Sequence, residues 1–389
     1  MVKNKLLNVD IIIIGAGIPG LILAHSLTPS FKILILDQAT EPNYSISPFA
    51  NRVSSINIQS VGVFETLGLW NRLPLEKLSP VNQMQVLDAV NQIELTFDAT
   101  DGGKEALSYI VENNLLIQIL LETLKNCKNC EIIRPTHLET LSIQPEAVYL
   151  NTAQGDRYQA QLVIGADGAQ SWLRSQAGIT LQEKEYGQQA LTATVNIEQA
   201  HQNTAFQVFL PTGPLAFLPL PDKNSLSIVW SSTENLLALP DKEFVHLLME
   251  KVQGRYGKIK LLSKRQVFPL KMQHAKEYVK ERLALIGDAA HTIHPLAGQG
   301  LNLGIADAAC LADIILKTRS QNKDYFSEHN LKKYQRIRKA ENNKMILAMH
   351  AFHHLFTHTS SMLIKARALA LGLVNTSRLL KRLFVHLAN

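Results

Sequence analysis

Six residues near the start of the chain, Gly15-Ala16-Gly17-Ile18-Pro19-Gly20, have the types and spacing to cradle a phosphate. G-x-G-x-x-G alone matches many turns by chance, so its meaning rests on what flanks it. Here the β-branched run Ile11–Ile14 precedes it and the apolar, helix-like Leu21–Leu27 follows. In that setting Gly15 permits a tight turn, Gly17 lets main chain approach a pyrophosphate, and Gly20 lets the helix lie close to the strand. Ile18 stands in the first helical turn, whose N–H groups and positive dipole end face an anion. Pro19 offers no N–H but is tolerated in a first turn. Asp37 ends the next apolar run, Lys32–Leu36, where a carboxylate accepts ribose hydroxyls. The plain alternative is a ligand-free strand–helix turn.

Two more glycine-dense strand ends follow. Leu162-Val-Ile-Gly165-Ala-Asp167-Gly168 leads to Ser171 and Arg174, and Leu285-Ile-Gly287-Asp288-Ala-Ala-His291-Thr-Ile-His294-Pro295-Leu-Ala-Gly298-Gln299-Gly300-Leu301-Asn302 leads to Gly304 and Asp307. Open α/β sheets bind ligands beyond the carboxyl ends of their strands, so all three turns are expected to meet one ligand. A helix beginning near Gly300 would turn free N–H groups and a positive dipole end toward negative charge. Other constellations read as structure. Cys127-Lys-Asn-Cys130 has no second pair to make a zinc site. His291 and His294 lack an accompanying ligand set, so no metal is expected. His350, His353, His354 and His358 fit a core or pocket lining, and Arg336, Arg338 and Lys339 fit a solvated helix face.

The elements that must position these turns are legible in outline. Ile11–Ile14, Lys32–Leu36 and Leu283–Ile286 read as strands buried on both faces. Residues 111–125 read as a helix with Leu116, Leu120 and Leu124 on one stripe. From 186 to 230 the period changes to two, as in an antiparallel sheet, and the last 60 or so residues are helical by pattern.

Composition narrows the function. The 389 residues are 46% hydrophobic with three cysteines, which excludes a disordered chain or a disulfide framework. Of 39 Lys+Arg against 33 Asp+Glu, six cations fall after Glu341, where no acid occurs. The excess therefore sits in the last 48 residues, unlike the spread basic stripe of a nucleic-acid enzyme, so no nucleic-acid partner is expected. A basic end suggests an anionic membrane surface or an acidic partner. Met362, Ala366, Leu369, Leu373, Leu380 and Phe384 fall at rough helical spacing, which fits a helix packed on the body, a docking face, or both. The most apolar stretch, Ile11–Leu27, is broken by glycines, Pro19 and His25, so a soluble, cytoplasmic protein at the periphery of the inner membrane is expected.

These motifs together resemble the FAD-dependent aromatic hydroxylases built like p-hydroxybenzoate hydroxylase. His294–Asp307 resembles the signature of the ubiquinone-biosynthesis hydroxylases, and similarity continues through Asn51-Arg52-Val53, Gly213–Pro219 and Tyr334–Arg338. The resemblance implies an α/β fold: a Rossmann-like three-layer FAD domain (1–75, 105–180 and 268–330), an inserted antiparallel-sheet substrate domain (76–104 and 181–267), and a C-terminal helical region (331–389). It also implies roles. Gly15, Gly17, Ile18 and Gly20 would hold the pyrophosphate and Asp37 the adenosine ribose, although the family usually has Glu there. Arg52 would approach the diphosphate and ribityl region, with Gln118 a further contact. Asp167 and Gly168 would serve FAD and NAD(P)H, and Asp288 the ribityl chain. Pro295 would lie beside the flavin ring, and Gly298, Gly300, Leu301 and Asn302 at its pyrimidine end. NAD(P)H would reduce FAD, and O2 would then give one oxygen atom to an electron-rich ring and the other to water. The expected substrate is a polyprenyl phenol lying between the flavin and the 186–230 sheet, with Phe206, Phe217 and Leu218 as lining or sheet-core residues. The alternatives are another flavin enzyme on this scaffold, such as a prenyl reductase, or a non-catalytic flavoprotein of a biosynthetic complex.

Overall fold

The computed structural model describes residues 6–40, 52–292, 299–357, 360–377 and 381–382. Pro295 and Gly298, two expected flavin contacts, lie outside them. The main helices are α1 (Ile18–Leu27), α2 (Ile58–Thr66), α3 (Asn113–Leu124), α4 (Trp172–Gln176), α5 (Asp241–Lys251), α6 (Gln299–Ser320), α7 (Glu328–Thr357) and α8 (Ser361–Thr376).

A six-stranded sheet runs in the order Val279–Lys280, Leu283–Leu285, Leu162–Gly165, Ile11–Ile14, Ile33–Leu36, Cys130–Ile133. All neighbours pair in parallel except the first two. Every residue of Ile11–Ile14, Ile33–Leu36 and Leu162–Gly165 is buried, as their unbroken apolar runs require. Each such isoleucine or leucine contributes about 1.5–3 kcal/mol by leaving water. The same core takes in α1, α3, α6 and a four-stranded sheet containing Val148, Leu150 and Tyr158.

The period-two region forms a larger sheet in which Leu181–Ile197, Ser225–Ser232, Gly213–Pro219 and Thr204–Leu210 are antiparallel neighbours. It is mixed rather than purely antiparallel, because Gln83–Asp88 joins its edge in parallel to Thr204–Leu210. Alternation assigns its faces. Leu191, Ala193, Val195, Phe206, Phe217, Ile228 and Trp230 form a core with Phe244 and Leu248 of α5. Ala205 and Leu218, one residue out of phase, pack instead with Val81 and Ile110 of a three-stranded sheet built from Val53–Asn57, Ser108–Glu112 and Ser79–Val81. Phe206 and Phe217 thus belong to the sheet core, and Leu218 packs on the opposite face of the sheet with Val81 and Ile110.

The C-terminal helices lie on this sheet. Phe356 of α7 stacks on Phe209 at 3.9 Å, and the His350 ring nitrogen Nε2 is 3.0 Å from the Tyr186 hydroxyl. His358 lies outside the described residues. Arg367 of α8 is buried and grips Asp88 at 2.7 and 3.0 Å. One of the six terminal cations is therefore neutralised inside the protein, and Lys344 pairs with Glu341 at 2.8 Å.

Candidate functional site

Three strand ends meet through their main chains. Gly15 N–H donates to Leu36 O at 2.8 Å, Ala166 N–H to Ile14 O at 2.7 Å, and Ile286 N–H to Gly165 O at 2.9 Å. The glycine turns that follow are consequently neighbours. Gly15 adopts φ +106° so tightly under the second turn that a Cβ there would lie 2.3 Å from Ala166 O. Pro19 of the first turn fills the space against the third. A Cβ on Gly304 would come within 2.9 Å of its Cγ, and one on Gly287 within 3.4 Å. Buried Arg174 ties the second turn to the third, its Nη2 donating to Ala169 O at 2.7 Å and its Nη1 to Ala289 O at 2.9 Å. This is the convergence expected at the carboxyl edge of a parallel sheet.

The crevice is also kept open. The N-cap of α1 is Gly17, which supplies no side chain to its first N–H groups, and a Cβ on Gly17 would meet no described atom within 4 Å. The same is true of Gly300 in the first turn of α6. Two helix starts with no described atom crowding Gly17 or Gly300 thus stand at one sheet edge, a setting that suits a long anionic ligand.

Residues 8–347 match the FAD binding domain family. The chain belongs to that family. The ubiquinone hydroxylase UbiL of Rhodospirillum rubrum is 32% identical over 381 residues, covering 97% of this chain and 88% of the relative. The 3-demethoxyubiquinol 3-hydroxylase of Escherichia coli (strain K12) is 34% identical over 379 residues, covering 96% of each. Among solved structures, the p-nitrophenol 4-monooxygenase PnpA from Pseudomonas putida DLL-E4 superposes with a TM-score of 0.80 over 97% of both chains at 17% identity, a likeness of fold.

The residues around the crevice of this FAD-binding protein fit the cofactor. Asp37 receives N–H bonds from Ala16 and, at 2.6 Å, from Ala39, so it braces the phosphate turn and has only its remaining lone pairs for a ribose. Asp167 accepts from Leu173 N at 3.1 Å, and burial raises its carboxyl pKa. Asp288 is exposed to the crevice, yet the protein around it desolvates it enough to raise its pKa, against the opposing charges of His291 and Arg52. Arg52 is exposed and lies over the Phe268 ring at 5.4 Å. Its carbonyl accepts from the Asn113 N–H, and Asn113 Oδ1 is a buried acceptor without a partner. An orphaned acceptor beside an open crevice indicates a ligand or water that satisfies it. Asn113 was not singled out in the sequence, since one asparagine at a helix start carries no distinguishing pattern.

Two expected contacts are placed differently. Gln118 donates to Glu122 at 2.8 Å on the α3 side turned away from buried Leu116 and Leu120, and no bond among the described residues connects it with the three turns. Buried Asn302 has its amide committed to main chain, accepting from Asn57 N at 3.1 Å and donating to Ser55 O at 2.8 Å. It fixes the start of α6, and what it offers a ligand is backbone. Leu301 is half-buried against the core. Burial pushes the Cys130 thiol up to about 12, which disfavours its thiolate.

A buried polar chain underlies the third turn and was missed in the sequence. Fully buried Asp307 accepts from Gly287 N at 3.0 Å, His291 Nε2 at 2.6 Å and Arg338 Nε at 2.7 Å. Arg338 is therefore no solvated residue. Leu331, Tyr334, Arg338 and Asn342 repeat at helical spacing on the inward face of α7, whereas Arg336 faces out. With Nε2 toward Asp307, His291 leaves Nδ1 buried without a hydrogen-bond partner among the described residues.

Next to the α6 start, between the large and three-stranded sheets, is a cavity of about 60 Å3. Met84, Ala205, Ala216 and Leu218 line it. Its polar groups include Gln207 and the Ser55–Ser108 hydroxyl pair at 2.8 Å. Ser55 is the residue whose carbonyl holds Asn302, so the chamber adjoins the turn that opens α6.

Removing the Asp288 carboxylate tests the crevice directly. Asp288→Ala is expected to lose most bound FAD with little change in melting temperature, since an exposed side chain is removed. Full flavin retention, read by absorbance of the purified protein, would remove Asp288 from the cofactor site.

Proposed function

We propose that this protein is a FAD-dependent, NAD(P)H- and O2-consuming monooxygenase that hydroxylates the aromatic ring of a polyprenyl phenol in ubiquinone biosynthesis. The observation that carries it is end-to-end similarity to two ubiquinone-pathway hydroxylases, joined to a FAD crevice whose α6 end adjoins an apolar chamber. Bound FAD supplies the redox chemistry that activates O2. The chain's own residues hold and orient. Gly15, Gly17, Ile18 and Gly20 present main chain to the pyrophosphate, Asp37 takes the ribose, and Arg52 and Asp288 flank the middle of the cofactor. The first turn of α6, from Gly300 to Asn302, turns its N–H groups toward the pyrimidine end and stabilises negative charge there. The substrate ring would lie between the first turn of α6 and the chamber, with its phenol oxygen toward the Ser55–Ser108 pair. The protein works on the cytoplasmic side at the periphery of the inner membrane, where such substrates dissolve.

Two measurements test this. Deleting the gene should make a quinone intermediate lacking one hydroxyl accumulate, as read by mass; an unaltered quinone pool would overturn the reading. Ala216→Val should narrow the chamber, raising KM for the phenol by about tenfold while flavin content is kept. An unchanged KM would place the ring elsewhere.

A further inference from the structure

The outer face of α8 is apolar where solvent favours polar residues. Its inner side is fixed by buried Arg367, paired with Asp88, and by half-buried Ile364, Ala368 and Leu371. Helical spacing then puts Met362, Lys365, Ala366, Leu369 and Leu373 on the opposite side. Met362, Leu369 and Leu373 are 80%, 73% and 65% exposed. Single exposed leucines are ordinary, but a surface helix apolar on both faces is not.

Charge indicates what covers it. Lys365 is exposed within this face, and no carboxylate side chain occurs in the sequence after Glu341. The sequence continues Arg378-Leu-Leu-Lys-Arg-Leu-Phe-Val385, basic and apolar throughout. A second copy meeting this face two-fold would bring Lys365 toward its own equivalent, with no acid on α8 to receive it. No helix among the described residues is long and apolar enough to cross a membrane.

We propose that the outer face of α8 docks on an anionic lipid surface, lying in the plane of the interface. Met362, Leu369 and Leu373 enter the acyl boundary and Lys365 meets the lipid phosphates. The Asp88–Arg367 pair fixes which side of the helix faces out, and so turns the large sheet toward the bilayer. This holds whatever ring the protein oxidises.

The test is flotation of the full-length flavoprotein with phosphatidylcholine vesicles containing about one-third phosphatidylglycerol. Wild type should float with these, less with pure phosphatidylcholine, and less again as salt rises. The triple variant Met362→Ser, Leu369→Ser, Leu373→Ser should bind about tenfold less or weaker, with flavin content and melting temperature kept. Lys365→Glu should weaken binding to anionic vesicles alone. Wild type that fails to float, or a triple variant that floats equally well, would overturn the proposal. So would a wild-type dimer that the triple variant converts to monomer, because the face would then belong to a second copy.

Discussion

Gly17→Ala is expected to give a folded protein that has lost most of its flavin. The Gly17 backbone, φ −76° and ψ 172°, is open to alanine, and the added Cβ would meet no described atom within 4 Å. Stability of the flavin-free protein should therefore move by no more than about 0.5 kcal/mol. The methyl would occupy the space in which main chain approaches the pyrophosphate, and crowding of that kind costs about 1–3 kcal/mol, or about five- to 150-fold in FAD affinity. Gly15→Ala supplies the contrast. Its Cβ would lie 2.3 Å from Ala166 O at φ +106°, so it should damage the fold itself. Flavin titration and thermal melting of the two variants separate the effects. A Gly17→Ala protein with full FAD affinity would place the pyrophosphate elsewhere, and one with a much lower melting temperature would show that the space is not free.

Much of this site could be read from the sequence because its signals are local. Ile11–Ile14 and Ile33–Leu36 are unbroken apolar runs, and such runs belong to strands covered on both faces. The glycines that follow are needed for reasons of turn geometry and close approach, which do not depend on distant residues. What the sequence hid were choices of face and long-range pairs. Phe206 and Leu218 both suit a pocket by type, but period-two alternation sends Phe206 to α5 and Leu218 to the chamber. Arg336 and Arg338 read as one basic cluster, whereas helical spacing puts them on different sides of α7. Asn302 looked like a ligand contact by position, and its amide instead bonds a strand 245 residues away in the chain. The Arg367–Asp88 pair spans 279 residues, a distance over which neither partner leaves a local trace.

The buried chain under the third turn carries the largest expected stability effect. Arg338→Ala should destabilise the protein by about 3–5 kcal/mol, because it leaves the Asp307 carboxylate buried without its cation. Loss of packing alone would not change how stability depends on pH, and that dependence separates the two causes. In the native protein, burial acts to raise the Asp307 pKa, but His291 and Arg338 outweigh it and hold it below the ordinary carboxylate value. A depressed pKa contributes stability that is present above the unfolded value and lost as pH falls through the folded one. His274 acts at higher pH in the same direction. Burial, aided by Lys339 and His291, lowers its pKa from 6.5 to about 4, so its contribution is complete above 6.5 and declines from there toward 4. Without Arg338 the Asp307 pKa must climb, and the acid loss of stability should begin at higher pH than in wild type. His274→Gln should instead flatten the slope between 6.5 and about 4 and leave the later loss in place. Denaturant melts across this range distinguish the outcomes. An acid limb that Arg338→Ala does not move would mean that the guanidinium does not set the charge of Asp307.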